Sequence, residues 1–316
     1  MLRRSFLVIP LCLSVALISH AQDKPVSGGK TVRLLTVGNS FSQNATKHLD
    51  KIVEAAGDTL IHHRCVIGGS GPNQHLDKAA RHEANPTDKA GLYGTGKSLK
   101  QELVAEPWDV ITIQQASIRS HNVDEYRPVA KQLHDLIKKA APNSEVVIHQ
   151  TWAYRVDDPR FTKPSGKEGE PKTQKEMYEG LNNAYRTIAR ELGIRRIPVG
   201  DAFYLADTDP TWGYKPDTSF DPKTAKPPTL PKQTHSLHVG RAWSKGTDGK
   251  PALKMDGHHA NTAGEYLGGL VWYEFLYGKS AVGNPYHPPG MSAEYARFLQ
   301  ETAHKAIENA KADNTK

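Results

Sequence analysis

Cysteine is nearly absent: the 316 residues contain two, Cys12 and Cys65. Cys12 lies in an N-terminal segment that reads as a removable leader, which leaves Cys65 alone and excludes an intramolecular disulfide framework. A lone cysteine within an apolar run reads as a small buried hydrophobe. No apolar run beyond the leader is long enough to cross a bilayer, so no stable membrane anchor is expected. No internal repeat is visible, and no basic stripe interleaves with aromatics, so nucleic acid is not an expected partner. Histidines come in pairs (His62 and His63, His235 and His238, His258 and His259), but none has the spacing of a recognised zinc motif. His62 and His63, adjacent in a strand, point to opposite faces and would not chelate one ion. No metal or other cofactor is expected.

What is present begins with the leader. "MLRRSFLVIPLCLSVALISHAQDK" places Arg3 and Arg4 before an apolar stretch and Ser19-His20-Ala21 before a polar segment. Residues 1–21 are therefore expected to be a secretory signal peptide, cleaved after Ala21, and the mature chain to be periplasmic or extracellular. "RRSFLV" also resembles a twin-arginine export motif, with ordinary secretion the preferred reading, and Leu11 before Cys12 argues against a lipoprotein cysteine. Loss of Arg3 and Arg4 lowers the formal charge from +7 to +5. That modest surplus fits either a solvated basic surface or affinity for anionic glycans. Residues 22–30 read as a polar linker, and 31–312 as a single domain.

Within that domain, short apolar runs at 31–38, 59–69, 109–114, 145–150 and 195–203 read as five strands. Helical periodicity fills much of the space between them, at 42–57, 124–141 and 173–192; within 254–278 a turn opens a further helix, and a last helix is predicted at 292–310. Strands alternating with helices imply a parallel sheet covered on both faces. Two stretches break the pattern: a Lys-, Pro- and Gly-rich loop at about 155–171 and a longer proline-rich insertion at about 207–250. Trp212, Tyr214 and Trp243 in the insertion, with Trp152, are candidate substrate contacts, since aromatic rings stack on sugar faces; the alternative is that the insertion's aromatics anchor it to the domain.

The first strand ends in "TVGNSFSQ", residues 36–43. Gly38 and Asn39 suit a tight turn that needs positive φ. Ser40 follows the carboxyl end of a strand, where open parallel sheets place their sites. A serine nucleophile needs a base and a group to orient it. Asp256 and His259, three residues apart in an expected turn before a helix, could be that pair, with His258 the rival base. Ser42 reads as the N-cap of the first helix.

These residues resemble the SGNH/GDSL hydrolase superfamily. Gly38-Asn39-Ser40 is similar to its first block, "GGSG" at 68–71 to its second, and "DGHHANTAG" at 256–264 to its last. The resemblance implies a flavodoxin-like three-layer α/β/α sandwich with a five-stranded parallel sheet. It implies esterase or lipase-type hydrolysis without a required cofactor, His259 as base, Asp256 as orienting acid, and His258 as a spacer. By the same resemblance the oxyanion is held by the N–H groups of Ser40 and Gly71, with Gly69 the alternative to Gly71. The family's third block, Gly-x-Asn-Asp, is missing; "ITIQQASIRS" stands there, and an amide of Gln114 or Gln115 is expected to replace the asparagine. The expected activity is removal of acetyl or other short acyl groups from a glycan ester. The alternative is a non-catalytic carbohydrate-binding protein on the same scaffold, which would have no need of Ser40.

Overall fold

A computed structural model of the chain describes residues 29–162 and 169–313. The expected leader, residues 22–28 of the linker and residues 163–168 of the first loop lie outside the described residues. In chain order the elements of the first half are β1 (Thr31–Gly38), α1 (Ser40–Ala45), α2 (Leu49–Ala55), β2 (Thr59–Val66), α3 (Pro72–Ala84), α4 (Leu99–Leu103), β3 (Val110–Ile113), α5 (Val129–Ala140) and β4 (Glu145–His149). The second half adds α6 (Pro159–Thr162), α7 (Gln174–Leu192), β5 (Arg195–Ile197), α8 (Val199–Asp207), β6 (His238–Lys245), β7 (Pro251–Ala260), α9 (Thr262–Tyr277) and α10 (Ala293–Asp313).

The central sheet has the order β2-β1-β3-β4-β5, and every pairing is parallel. All four residues of β3 and four of the five in β4 are buried, as continuous apolar strands under two helical layers should be. The crossover from β1 to β2 runs opposite to those that follow. Right-handed connections therefore put α1 and α2 on one face and α3, α5 and α7 on the other. The nearly all-apolar α9 completes the first layer against α1 and α2. The reversal of winding falls between β1 and β3, and the loops leaving these strands diverge to leave a crevice.

The expected first helix, 42–57, is two helices. It starts at Ser40, with Asn39 as N-cap accepting from the Phe41 N–H, so Ser42 is not the cap; its buried hydroxyl donates to the Asn39 carbonyl. Thr46 ends α1 by donating its hydroxyl to the Ser42 carbonyl, a bond that competes with helix continuation. The turn before Ser40 is not left-handed either: Asn39 is extended, at φ −133° and ψ −160°. Gly38 is required instead for close approach, because a Cβ there would lie 2.5 Å from Gln114 Oε1.

The insertion holds the largest departure from the sequence reading. Its end pairs with the residues that follow it in a two-stranded antiparallel hairpin, β6 and β7, and β7 carries Asp256 and His259 at its far end. The two residues are thus on a strand and not in a turn. Side chains three apart on a regular strand face opposite ways. Here the register jumps from Gly240 opposite Asp256 to His238 opposite Ala260, so three residues of β7 bulge against one of β6. The bulge turns Asp256 and His259 to the same side.

Arg155, just beyond β4, pins this hairpin. Its side chain is fully buried, forks onto Asp157 through Nε (2.6 Å) and a terminal nitrogen (3.0 Å), and donates to Gln233 Oε1 at 2.8 Å. The guanidinium also covers the Tyr214 ring, and the Arg155 N–H donates to the Gly257 carbonyl in the bulge at 2.7 Å. Arg155→Met would take the fork from Asp157 and one of two donors from Gln233 Oε1; a broken buried pair typically costs about 3–5 kcal/mol, and this one less because Asp157 is partly exposed. The expected result is a lower urea midpoint. A midpoint equal to the parent's would show that the hairpin docks without this cation.

Candidate active site

The site is built at the switch point. Ser40 is the first residue of α1, so its side chain stands at the carboxyl end of β1. Its Oγ lies 2.9 Å from His259 Nε2, and His259 Nδ1 lies 2.9 Å from Asp256 Oδ2. Asp256 Oδ1 accepts from the N–H groups of His259 (3.0 Å) and His258 (3.3 Å). The nucleophile comes from the central sheet and the base and acid from the hairpin. Asn44 of α1 joins the two by accepting from the Ala260 N–H.

Partial burial disfavours the charged form of Asp256, but bonds from the His259 backbone and ring, with the pull of both imidazoles, outweigh it. The carboxyl is held below its ordinary value. His258 is pulled down by burial, partly offset by Asp256. Its ring is tilted 44° to that of His259, centroids 4.1 Å apart, and its Nδ1 is 3.1 Å from Asp256 Oδ1. The geometry joins His259, not His258, to Ser40. Asp256, His258 and His259 also bring ligand atoms within 4.8 Å of one another, a set that could hold a divalent ion. As they stand, His259 directs one nitrogen to the carboxylate and the other to the serine, which leaves neither for an ion.

The cleft over Ser40 has a volume of about 210 Å³ and is lined by Asn39, Phe41, Gly69, Ser117, Tyr154, Arg160, His258 and His259 among others. A larger hollow of about 670 Å³ between α3 and α5 is lined by residues such as Ala79, His82, Leu136 and Lys139, far from the relay. Size alone would favour it, but it offers no nucleophile with a paired base, whereas the smaller cleft holds Ser40 and His259.

The expected oxyanion donors are only partly brought together. Ser40, at the first helical position, has an N–H without an intrahelical acceptor. Gly71 does not line the cleft; its N–H donates to Gln74 Oε1 as part of the α3 cap. Gly69 does line it, at φ +66°, a conformation that favours glycine. Both glutamines are turned away. Gln114 Nε2 donates to Asn39 Oδ1 at 2.6 Å, and its Oε1 accepts from His149 Nδ1. Gln115 Nε2 donates to the Glu125 carbonyl and its Oε1 accepts from the Ala116 N–H. Asn39 is the hub of this network, since its Nδ2 also donates to the Ser70 carbonyl and so ties the β1, β2 and β3 loops together.

The four aromatic candidates are also placed elsewhere. Trp152 is fully buried beneath the site, stacked on Phe203, and donates to the His258 carbonyl. Trp212 stacks on Tyr295 and Phe298 of α10, Tyr214 lies over Arg155, and Trp243 donates to the Thr229 carbonyl. All four anchor structure; none lines the cleft. The residues that do line it and that the sequence reading missed are Phe41, Ala116, Ser117, Ile118, Tyr154 and Arg160. Phe41 and Ser117 sat beside singled-out motifs, whereas Tyr154 and Arg160 sat at the edge of what read as an exposed loop.

Three imidazoles in the surrounding network are held neutral. Burial pushes His149 and His238 down to about 3 and His75 to about 4, from an ordinary 6.5. With the folded value lowered, the unfolded chain binds more protons between these values and roughly 6.5, so stability falls as pH drops through that window. Each group contributes up to about 1.4 kcal/mol per pH unit. The urea midpoint is expected to be flat above roughly pH 7 and to fall steeply below roughly pH 6. A midpoint unchanged between roughly pH 7 and pH 5 would show that these rings are not kept neutral.

A family model described as "Domain of unknown function (DUF4886)" matches residues 33–211, which include Ser40 but end before Asp256 and His259. Among solved structures, a DUF4886 family protein from Bacteroides uniformis is 26% identical, with a TM-score of 0.67 over 88% of this chain and 95% of that one. A candidate SGNH hydrolase from Slackia heliotrinireducens is 20% identical, with a TM-score of 0.47 over 77% of this chain and 98% of that one. A search of curated proteins gave no match.

Proposed function

The chain belongs to the DUF4886 family, and from that premise and the geometry above we propose that it is an exported serine ester hydrolase that removes acetyl or other short acyl groups from a glycan. The observation that carries this reading is the unbroken relay from Ser40 through His259 to Asp256, with 2.9 Å at both links. His259 Nε2 takes the Ser40 proton as Oγ attacks the ester carbonyl. The N–H groups of Ser40 and Gly69 hold the oxyanion. Protonated His259 gives its proton to the leaving alcohol, and an acyl-serine remains. His259 then activates water to release the acid and restore the serine. No cofactor enters these steps.

The short acyl group follows from the cleft, whose 210 Å³ is below the roughly 300–1,000 Å³ of sites for drug-sized ligands. Ser117, Tyr154, Arg160 and His258 give it a polar wall suited to sugar hydroxyls. With neither glutamine amide in the hole, one donor fewer serves the oxyanion, a loss that elsewhere costs roughly 10²–10³ in turnover. Modest rates are expected for that reason.

The test is labelling by a fluorophosphonate together with hydrolysis of p-nitrophenyl acetate and its octanoate homologue. One adduct on Ser40 and a preference for acetate are expected. An intact protein that neither labels nor hydrolyses either ester would sink the proposal and favour a carbohydrate-binding role.

A further inference from the structure

The cleft carries a positive charge that the hydrolytic steps above do not use. Arg160, in the short α6, is exposed and lines the cleft together with Ser40 and His259. A terminal guanidinium nitrogen donates to Tyr154 Oη at 2.9 Å, and the group lies over the Tyr154 ring, 4.9 Å from its centroid. Tyr154 Oη is in turn 2.9 Å from Ser117 Oγ. Tyr154 is 2% exposed and Ser117 is 9% exposed, so this platform is fixed while the guanidinium reaches solvent.

Among the described residues no carboxylate forms an ion pair with Arg160. Asp158 accepts the Arg160 backbone N–H and is 5% exposed. Glu170 lines the adjoining hollow on the far side of Arg160 and Tyr154, beside His121. His258, the other titratable group on this wall, is pulled toward its neutral form by burial. This side of the cleft therefore presents one cation to whatever enters, its guanidinium bonded to Tyr154 and in no ion pair among the described residues. A guanidinium fork of this kind matches the oxygens of an anion.

We infer that Arg160, Tyr154 and Ser117 form an anion-recognising subsite. The preferred ester then carries an anionic oxygen group, a carboxylate or a sulfate, near the acylated hydroxyl, as in an O-acetylated acidic sugar. This deepens the ester hydrolase reading and rests on it. The chemistry itself is unchanged: the anion pairs with Arg160 and orients the ester carbonyl toward Ser40, so that binding energy at a remote group is spent on positioning.

The experiment compares kcat/KM for three acetylated sugars: methyl glucuronoside as the free acid, its methyl ester, and a glucoside 6-sulfate. The parent is expected to favour the free acid over the methyl ester by at least about tenfold, as a charge-assisted hydrogen bond allows. The sulfate arm tells which anion is taken: a preference for either charged sugar supports the subsite. Arg160→Gln is expected to bring the ratios to about one, and Arg160→Lys to retain part of the preference as a point charge without the fork. Equal rates on all three sugars in the parent, or a preference that survives in Arg160→Gln, would overturn the inference. Turnover of p-nitrophenyl acetate that depends on Ser40, measured in the same series, separates this outcome from failure of the ester hydrolase reading itself.

Discussion

Ser40→Ala is expected to lower kcat/KM for p-nitrophenyl acetate by about 10⁴-fold or more, because without the nucleophile only binding and the oxyanion donors remain to accelerate hydrolysis. The substitution removes one side-chain bond, to His259 Nε2, from the first turn of α1. Alanine is a better helix former than serine, so the urea midpoint is expected to stay where it is. The variant therefore separates chemistry from folding. His259→Ala is expected to cost as much, and the double variant little more, since the two residues act as one unit. Retention of more than about one per cent of parent activity by either single variant would place the chemistry on other residues.

Asp256→Asn is expected to cost about 10⁴-fold in kcat, for a reason of hydrogen-bond direction and not of charge alone. Both oxygens of Asp256 accept: Oδ1 from two backbone N–H groups, and Oδ2 from His259 Nδ1. An asparagine has one oxygen and one NH₂, so either way round it sets a donor against a donor. With the NH₂ toward Nδ1, the imidazole is driven to the tautomer that carries its proton on Nε2 and faces Ser40 with a hydrogen. The base is then lost although its place is kept. Kinetics over a range of pH and urea unfolding of the same protein check this. The expected outcome is a small change in stability beside a large one in kcat. Unchanged kcat would mean that the bulge of β7, and not the carboxylate, orients the ring.

Much of the scaffold was legible because a parallel sheet buried on both faces leaves a coarse mark: apolar runs such as "VITI" and "VVI" with helical spacing between them. The relay was legible because its three members lie in short blocks whose order survives in one chain. What escaped depended on long-range context. β6 was read as part of a loop insertion and the second half of β7 as a turn opening a helix, because these strands are polar and only partly buried, although Asp248-Gly249 at the tip is a strong hairpin signal. Gly71 was preferred to Gly69 on block position, yet the cap of α3 claims its N–H, and no local pattern of glycines reveals that. The two glutamines were assigned by analogy with an asparagine amide, and their true partners, Asn39, His149 and Glu125, are spread along the chain. Trp152 and the insertion's aromatics illustrate the same limit: ring chemistry is visible in a sequence, but whether a ring faces a sugar or the core is decided by packing.

The hairpin brings one further consequence. A two-stranded sheet has little stability of its own, and this one is held against the domain by Arg155, by Asn44 and by Trp152 beneath the bulge. Its root is fixed by the fully buried His238, whose Nε2 donates to the Ala153 carbonyl, and by Ala260 in the core. In the proposed relay the base is therefore only as well placed as this hairpin is seated, since Ser40 belongs to the central sheet's first helix and His259 to the hairpin.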